Sequence, residues 1–491
     1  VDIGALIRQS ARRFGDKPAL ECEGRVISFK EFDAATDRIG NLLIAQGLLP
    51  GDRVGVMLPN GIECLVMYYS LAKSGLVRVP LNENDTQAQN SYKLEDAGCR
   101  AVVHNGNRPP GGADIIFEAD VSWLKENAWS GPHEPCYVPR DPEAPYRLGY
   151  TGGTTGMPKA VTLTMRGEHA EVANFLIDLM PDIGQDDTFL HAAPIIHASG
   201  AYFLPSFARG ARSFIMTKFD AKTWLEELQS TKASYSFLVP TMIALVVDVP
   251  GVEDYETSSL RRLCWGASPI PPSVSEKAQR IFGKVLAQSY GQSEAPMAIT
   301  VLQPEEHDRI GSAGRAYTLM EVAAMDEDDN FLPPGEVGEV VTRGPLLMKG
   351  YWNKPELTAQ TIRNGWLHTG DLGYLDEEGY VFLVDRKNDL IISGGSNVYP
   401  REVEDALNDH PAVKEAAVVG IPDDTWGEIV HGVVAVRFDV SEQELLDFVA
   451  DRVPKYKRPR SIAIWPVLPK SPAAKILRRE VRDKERERLG R

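Results

Sequence analysis

The stretch Tyr150-Thr151-Gly152-Gly153-Thr154-Thr155-Gly156-Met157-Pro158-Lys159 decides how this chain is read. Three glycines let the backbone turn sharply and approach a ligand closely. Threonine hydroxyls, main-chain N–H groups and the Lys159 ammonium together make a cradle for a polyphosphate. The spacing lacks the Gly-Lys-Ser/Thr ending of a Walker A loop. A Gly/Thr surface turn fits the same residues. What stands downstream decides between the two.

Ser289-Tyr290-Gly291-Gln292-Ser293-Glu294 puts a flat ring, a hydroxyl and a carboxylate close together. Tyr290 offers a face to a purine, Ser293 a hydroxyl to a phosphate. Glu294 offers a hard oxygen for Mg²⁺, which binds one or two carboxylates plus substrate phosphates. Gly291-Gln292-Ser293-Glu294-Ala295 also approaches the Gly-x-Ser-x-Gly elbow of hydrolases, without the final glycine. Ser293 is then a phosphate ligand or a nucleophile, and an ordinary turn after a strand fits too. Trp265-Gly266-Ala267-Ser268-Pro269 would let a flat ring lie against backbone; a tight turn after a buried strand is equally compatible. In Gly365-Trp366-Leu367-His368-Thr369-Gly370-Asp371 the carboxylate can accept from both ribose hydroxyls, although Asp after Gly is also a common turn residue.

Size and composition bound the answer. A chain of 491 residues is too long for one core, and 43% hydrophobic with 25% charged residues is ordinary for a soluble protein. No apolar run reaches a membrane span, and Val1-Asp2-Ile3-Gly4 has no signal-peptide pattern. A net charge of −16 argues against nucleic-acid binding by the whole chain. Residues 452–491 are nonetheless basic: a solvated helix, a nucleic-acid tail or a docking face for an anion. Five scattered cysteines without a CxxC pair suggest neither zinc nor disulfides, and a reducing cytoplasm fits.

The coarse pattern is α/β. Ser28-Phe29-Lys30-Glu31 reads as a capping box, starting a helix through Ile39, Leu42 and Leu43 that Gly47 stops. A strand at 53–58, a helix at 64–72 and a strand at 77–81 form a βαβ unit with a parallel sheet. Residues 105–146, rich in Pro, Gly and charge, read as surface connection. A helix at 168–179 follows the Gly/Thr loop. From about 310 onward short β pieces predict a small barrel or distorted sheet. The last ~100 residues have the size of one α+β domain.

Taken together and in this order, these stretches resemble the motifs of the adenylate-forming superfamily: acyl-CoA synthetases, adenylation domains of peptide synthetases and firefly-type luciferases. Pro469-Lys470-Ser471-Pro472-Ala473-Ala474-Lys475-Ile476-Leu477-Arg478 resembles its terminal lysine motif. Ser393-Gly394-Gly395-Ser396-Asn397 is especially similar to benzoate- and chlorobenzoate-type CoA ligases. The resemblance covers essentially the whole chain. Two positions depart from the family: Asn388 where Asp or Lys is commoner, and Ala474 where Gly is usual.

The resemblance implies a large N-terminal domain, residues 1–385, of layered α/β subdomains plus a small β-barrel. A hinge follows at 386–388 with Asn388 as pivot, then a mobile α+β C-terminal domain, 389–491. It implies ATP, Mg²⁺, CoA and a small carboxylic acid as reactants, with no nucleic acid and no membrane span; a homodimer is admitted. The acid becomes an acyl-adenylate with release of pyrophosphate, and CoA then displaces AMP. The implied catalytic set is Lys475, Glu294 (also the metal ligand) and His197. ATP or AMP falls to Thr151, Gly152, Gly153, Thr154, Thr155, Gly156, Lys159, Gly266, Ala267, Ser268, Ser289, Tyr290, Gly291, Gln292, Ser293, Asp371, Leu383 and Arg386. CoA falls to Gly394, Gly395, Trp426, Tyr456, Lys457 and Arg458.

Pro194-Ile195-Ile196-His197-Ala198-Ser199-Gly200 resembles the acyl-pocket wall. Amino-acid-activating relatives carry Asp where His197 stands, and burying an ammonium without a carboxylate is costly. The implied pocket rejects α-amino acids. Phe175, Phe237, Ala295, Pro296 and Ala198 complete a wall suited to a compact aromatic, alicyclic or medium-chain acid. A histidine satisfied in the core is the plain alternative for His197. Two other functions stay open: an amide-forming ligase that dispenses with CoA, and a serine hydrolase using Ser293.

Overall fold

The structure is a computed structural model; it describes residues 3–109, 111–112, 114–151, 158–423, 425–470 and 476–490, with the side chain of Asn388 outside that description. The chain divides into two compact units. Of the described residues, one comprises those within 3–151, 158–322 and 342–367, the other those within 323–341 and 368–490.

In the first unit the capping box forms as its residues predict. Ser28 Oγ accepts the Glu31 N–H at 3.2 Å, and the Glu31 carboxylate accepts the Ser28 N–H at 2.7 Å. The helix Phe29–Ala45 buries Phe29, Phe32, Ala35, Ile39 and Leu43. The βαβ unit is also present: Arg53–Met57 and Val77–Pro80 are parallel, joined by the helix Ile62–Lys73. They lie inside a seven-stranded sheet. Its order is Gly350–Tyr351, Lys159–Thr164, Pro145–Thr151, Val77–Pro80, Arg53–Met57, Cys99–His104, Phe117–Asp120.

A nine-stranded sheet has a parallel middle: Leu286–Gln292, Arg262–Gly266, Tyr235–Leu238, Thr188–His191, Arg212–Ile215 and Pro18–Cys22. Strands covered on both faces become continuous apolar runs, and Tyr235–Leu238 is buried at every position. Antiparallel strands close both edges: Ala295–Leu302 with Arg315–Ala316, and Arg25–Ser28.

Two expectations need correction. Residues 105–146 are not connection alone. Phe117–Asp120 pairs with Cys99–His104 as an edge strand, and the Asp120 carboxylate caps the helix Val121–Asn127. Both elements are short and flanked by Pro and Gly, so composition hides them; Leu124, fully buried, secures them. The helix expected at 168–179 is Met165–Asn174, continued by a π-helical turn Phe175–Leu179. Such turns are frequent at functional sites.

Glu321–Met325, Gly338–Arg343, Trp366–Leu375, Ile362–Arg363 and Val381–Arg386 form a five-stranded sheet whose register shifts between Leu372 and Gly373. It is the distorted sheet expected beyond residue 310. In the second unit, Gly427–Val436 is flanked by Val413–Asp423 and Ser461–Trp465, with Ile391–Ser393 and Ser396–Val398 at one end. Helices Pro400–Asn408 and Arg478–Leu489 pack on Val413–Asp423. Among the described residues no helix is long and apolar enough to cross a membrane.

Candidate active site

Thr151 and Lys159 stand opposite each other in the antiparallel pair Pro145–Thr151 and Lys159–Thr164. The Gly/Thr stretch therefore links two antiparallel strands, whereas a Walker A loop runs from a strand into a helix. Gly152, Gly153, Thr154, Thr155 and Gly156 lie outside the described residues, and so does Lys475. The strand Gly350–Tyr351 pairs with the Lys159 strand and brings in a residue that the sequence reading missed. The Lys159 ammonium lies 5.7 Å from the centroid of the Tyr351 ring. Tyr351 Oη donates to Glu294 Oε1 at 2.7 Å. Burial first, and Glu294 next, hold the Tyr351 phenol well above its ordinary pKa, so it stays a donor. A neutral phenol thus joins a cation and a carboxylate. The only sequence signal was the aromatic pair after a glycine in Gly350-Tyr351-Trp352.

Glu294 sits in a turn between Leu286–Gln292 and the antiparallel strand Ala295–Leu302, with Gln292 opposite Ala295. A nucleophile elbow runs from a strand into a helix. This hairpin does not, and the serine-hydrolase reading of the exposed Ser293 fails on that ground. Gly291 is required here: a Cβ would stand 2.5 Å from the Met297 nitrogen. Ser289 is buried and braces the hairpin, donating to the Met297 carbonyl at 2.7 Å and lying 2.6 Å from Tyr317 Oη. Tyr290 and Gln292 are half-buried. Gly266 lets its strand press against the next, since a Cβ would meet the Ser289 carbonyl at 2.4 Å. Ala267 then turns outward at φ +72° and is exposed, with Ser268 half-buried beside it.

Asn82 Nδ2 lies 3.1 Å from His197 Nε2. Asn82 Oδ1 accepts the Asn84 N–H at 3.0 Å, which fixes the amide so that Nδ2 donates. The proton of a neutral His197 ring is then on Nδ1. His197 is exposed, yet desolvation by surrounding protein lowers its pKa, with Asp85 opposing and Lys93 and Arg147 assisting. A ring both open to solvent and crowded by protein suits a cleft wall. The other predicted wall residues are deeper. Phe175, Phe237 and Ala295 are fully buried, Pro296 is buried and Ala198 half-buried. Tyr202 lies between the two phenylalanines, 4.9 Å from the Phe175 centroid and 5.1 Å from that of Phe237.

In the second unit Asp371 pairs with Arg386 across adjacent strands, Arg386 Nε lying 3.1 Å from Asp371 Oδ1. Asp371 is buried, Arg386 exposed and Leu383 half-buried. Asn388 falls in a 3₁₀ turn, Lys387–Asp389. Just beyond it, Arg478 reaches Asp389 at 3.0 Å, Asp385 at 3.6 Å and Glu404 at 2.5 Å. Burial opposes that guanidinium charge, but Glu404 and both aspartates hold its pKa above the ordinary value. Gly394 and Gly395 make the tight turn of the hairpin Ile391–Ser393/Ser396–Val398. The Gly394 N–H donates to the Trp426 carbonyl at 2.8 Å. Trp426 is half exposed, and Arg460, absent from the sequence expectations, stacks over it at 4.7 Å. The turn Lys455–Lys457 lies beside Ser396–Val398. Tyr456 is exposed, Lys457 is paired with Glu402 at 2.5 Å, and Arg458 donates to the Val453 carbonyl at 3.3 Å.

Comparison with known proteins decides what this geometry belongs to. The family model described as AMP-binding enzyme matches residues 7–352, and its C-terminal domain matches 402–475. The chain belongs to the AMP-binding enzyme family. A fatty acid–[acyl-carrier-protein] ligase, ScoC of Streptomyces coeruleorubidus, is 34% identical, covering 95% of this chain and 93% of its own. A 2-succinylbenzoate–CoA ligase of Bacillus cereus strain Q1 is 33% identical, covering 95% of each. The o-succinylbenzoate CoA synthetase MenE of Bacillus subtilis, solved with its acyl-adenylate intermediate, superposes with a TM-score of 0.90 at 31% identity, over 97% of this chain and 98% of that one. This AMP-binding enzyme is an AMP-forming acid–thiol ligase that uses ATP, Mg²⁺ and CoA. The residues fit the ion: Mg²⁺ takes hard oxygens and completes its shell with phosphates, and Tyr351 holds Glu294 as such an oxygen beside Lys159.

Proposed function

We propose that this AMP-binding enzyme activates a compact carboxylic acid, aromatic, alicyclic or medium-chain, and passes the acyl group to the thiol of CoA. The observation that carries the reading is the Lys159–Tyr351–Glu294 arrangement at the end of the Gly/Thr stretch. It offers a cation and a metal-binding carboxylate to one polyphosphate. The resemblance of the bacterial 2-succinylbenzoate–CoA ligase supports an aromatic acid and CoA as acceptor. All five cysteines are buried and free, which supports a reducing compartment such as the cytoplasm.

In the first half-reaction a carboxylate oxygen attacks the α-phosphorus of ATP, and the bond to pyrophosphate breaks. Two anions must be brought together, so electrostatic screening is the main catalytic task. Thr151, Thr154, Thr155 and Lys159 hold the triphosphate, and Glu294 holds Mg²⁺. When bound, the ion supplies further neutralisation of phosphate charge. Tyr290 and the Gly266–Ala267–Ser268 turn take the adenine, while Asp371 and Arg386 take the ribose. Lys475 bridges carboxylate and α-phosphate oxygens. The segment 389–491 then pivots at Asn388, withdrawing Lys475 and presenting Gly395 to the pantetheine. The thiol attacks the acyl carbon past His197, and AMP leaves. Trp426, Tyr456, Lys457 and Arg458 receive CoA, with Arg460 adding a cation.

The test is pyrophosphate release across benzoates, alicyclic acids, C2 to C16 fatty acids and amino acids, with and without CoA. Compact acids should release pyrophosphate without CoA and give a thioester with it. Preference for an amino acid would defeat the His197 argument, and preference for palmitate the compact pocket.

A further inference from the structure

Against the helix Met165–Asn174 the seven-stranded sheet carries two arginines that nothing above employs. Arg78 stands opposite Arg147 in the parallel pair of Val77–Pro80 and Pro145–Thr151, so both side chains leave the same face. Like charges so placed repel. Arg78 is 6% exposed, its guanidinium 4.0 Å from the Tyr68 centroid and 5.4 Å from that of Tyr146. Glu168 and Glu171, one helical turn apart, are 9% and 3% exposed. Both act electrostatically on Tyr146, as do both arginines.

The cluster is not internally satisfied. Arg78 Nε, Arg147 Nε, Tyr146 Oη and Glu171 Oε1 are buried without a hydrogen-bond partner among the described residues. Buried polar atoms are rarely left unpaired unless water or a ligand meets them. Charge points the same way. Burial, and Glu168 after it, push the Glu171 carboxyl up to about 8, so near neutrality it keeps its proton. With Glu171 neutral, the two guanidiniums outnumber the ionised carboxylates beside them, leaving room for one more anion. The cluster also reaches the acid's surroundings. Arg147 is half-buried and acts on His197, and Glu171 acts on Tyr202, whose ring packs at a tilt against Phe175.

We propose that Arg78 and Arg147, with Tyr146 and Glu171, bind a second carboxylate on the acid, which makes a dicarboxylic acid the preferred substrate class. The inference rests on the acid–CoA ligase reading above. A guanidinium fork matches a carboxylate in geometry as well as charge, and a phenol with a protonated carboxyl adds two donors.

The full chain is compared on paired acids, homophthalate against phenylacetate and adipate against hexanoate. Pyrophosphate release with ATP is one readout, and calorimetric binding of the acid alone is the other. The diacid of each pair should be preferred roughly ten- to a hundredfold, the range expected for charge-assisted hydrogen bonds. Arg147→Gln should remove most of that ratio, and Arg147→Lys, which keeps charge but loses the fork, should keep part of it. Monoacids favoured in both readouts, or an unchanged ratio in Arg147→Gln, would overturn the inference while pyrophosphate release still upheld the ligase. Should no acid release pyrophosphate, the ligase reading falls, and calorimetry alone decides the diacid preference.

Discussion

Tyr351 lies between the Lys159 ammonium and the Glu294 carboxylate, and its hydroxyl is the only part of it that orients Glu294. Tyr351→Phe keeps the ring under the cation but frees the carboxylate. A hydrogen bond to a charged group is worth about 1.5–3 kcal/mol, so the KM for ATP should rise at least about tenfold. More Mg²⁺ should be needed for half-maximal pyrophosphate release. Equal Mg²⁺ dependence in variant and parent would show that Tyr351 does not position the ion's ligand. Lys475 carries a second prediction. Lys475→Ala should cost on the order of 10²–10³ in the adenylation rate, the size of losing one transition-state charge contact. Thioester formation from pre-made acyl-adenylate should be largely spared. Equal losses in both half-reactions would remove the idea that Lys475 withdraws between them. Lys159, Glu294 and Lys475 are legible in the sequence because each sits in a motif. Tyr351 is not, because nothing local marks an aromatic residue as the partner of a distant carboxylate.

At the scale of elements the hairpin Ile391–Ser393/Ser396–Val398 is the informative one. Gly394 and Gly395 have φ of +57° and +80°, the two positive values that a two-residue type I′ turn requires. A Cβ on Gly394 would also stand 2.5 Å from Trp426 Cε3. Gly394→Ala therefore combines left-handed strain of about 1–2 kcal/mol with a displaced indole. The KM for CoA should rise several-fold, with pyrophosphate release in the absence of CoA little changed. Assaying the half-reactions separately checks this, and a loss confined to adenylation would take Trp426 out of the CoA site. The Gly-Gly pair was visible in the sequence through its likeness to benzoate-type ligases, and the φ demand it meets is local. The capping box at Ser28 was visible too, since its partners are three residues apart. The edge strand Phe117–Asp120 was not, because its stability comes from pairing with Cys99–His104.

Across the whole molecule, burial pulls histidines and a glutamate in opposite directions. His191 is fully buried between Ser199 and Ser213, and desolvation lowers its pKa to about 3. Burial likewise lowers His197, His307 and His431. Below the unfolded value of 6.5 the unfolded chain binds protons that the folded chain refuses, so this stability is present above 6.5 and lost as pH falls. The slope for His191 approaches about 1.4 kcal/mol per pH unit. Glu171 acts the other way. Its folded value, about 8, lies above the unfolded 4.5, so its contribution is present below 4.5 and lost as pH rises through 8. Thermal unfolding from pH 5 to 9 should show Tm falling at both ends. His191→Gln should flatten the acid limb and Glu171→Gln the alkaline one; wild-type slopes retained in both variants would sink the assignment. The sequence by itself determined the adenylate-forming family, the order of the motifs, the α/β class and the local turns and caps, because each depends on residues close along the chain. Only the tertiary structure decided that Tyr351 meets Glu294, that Phe175 and Phe237 close on Tyr202, and that Arg78 and Arg147 share one sheet face with two glutamates above them. Those pairings follow from strand register and from burial between distant segments, which no local pattern of residues encodes.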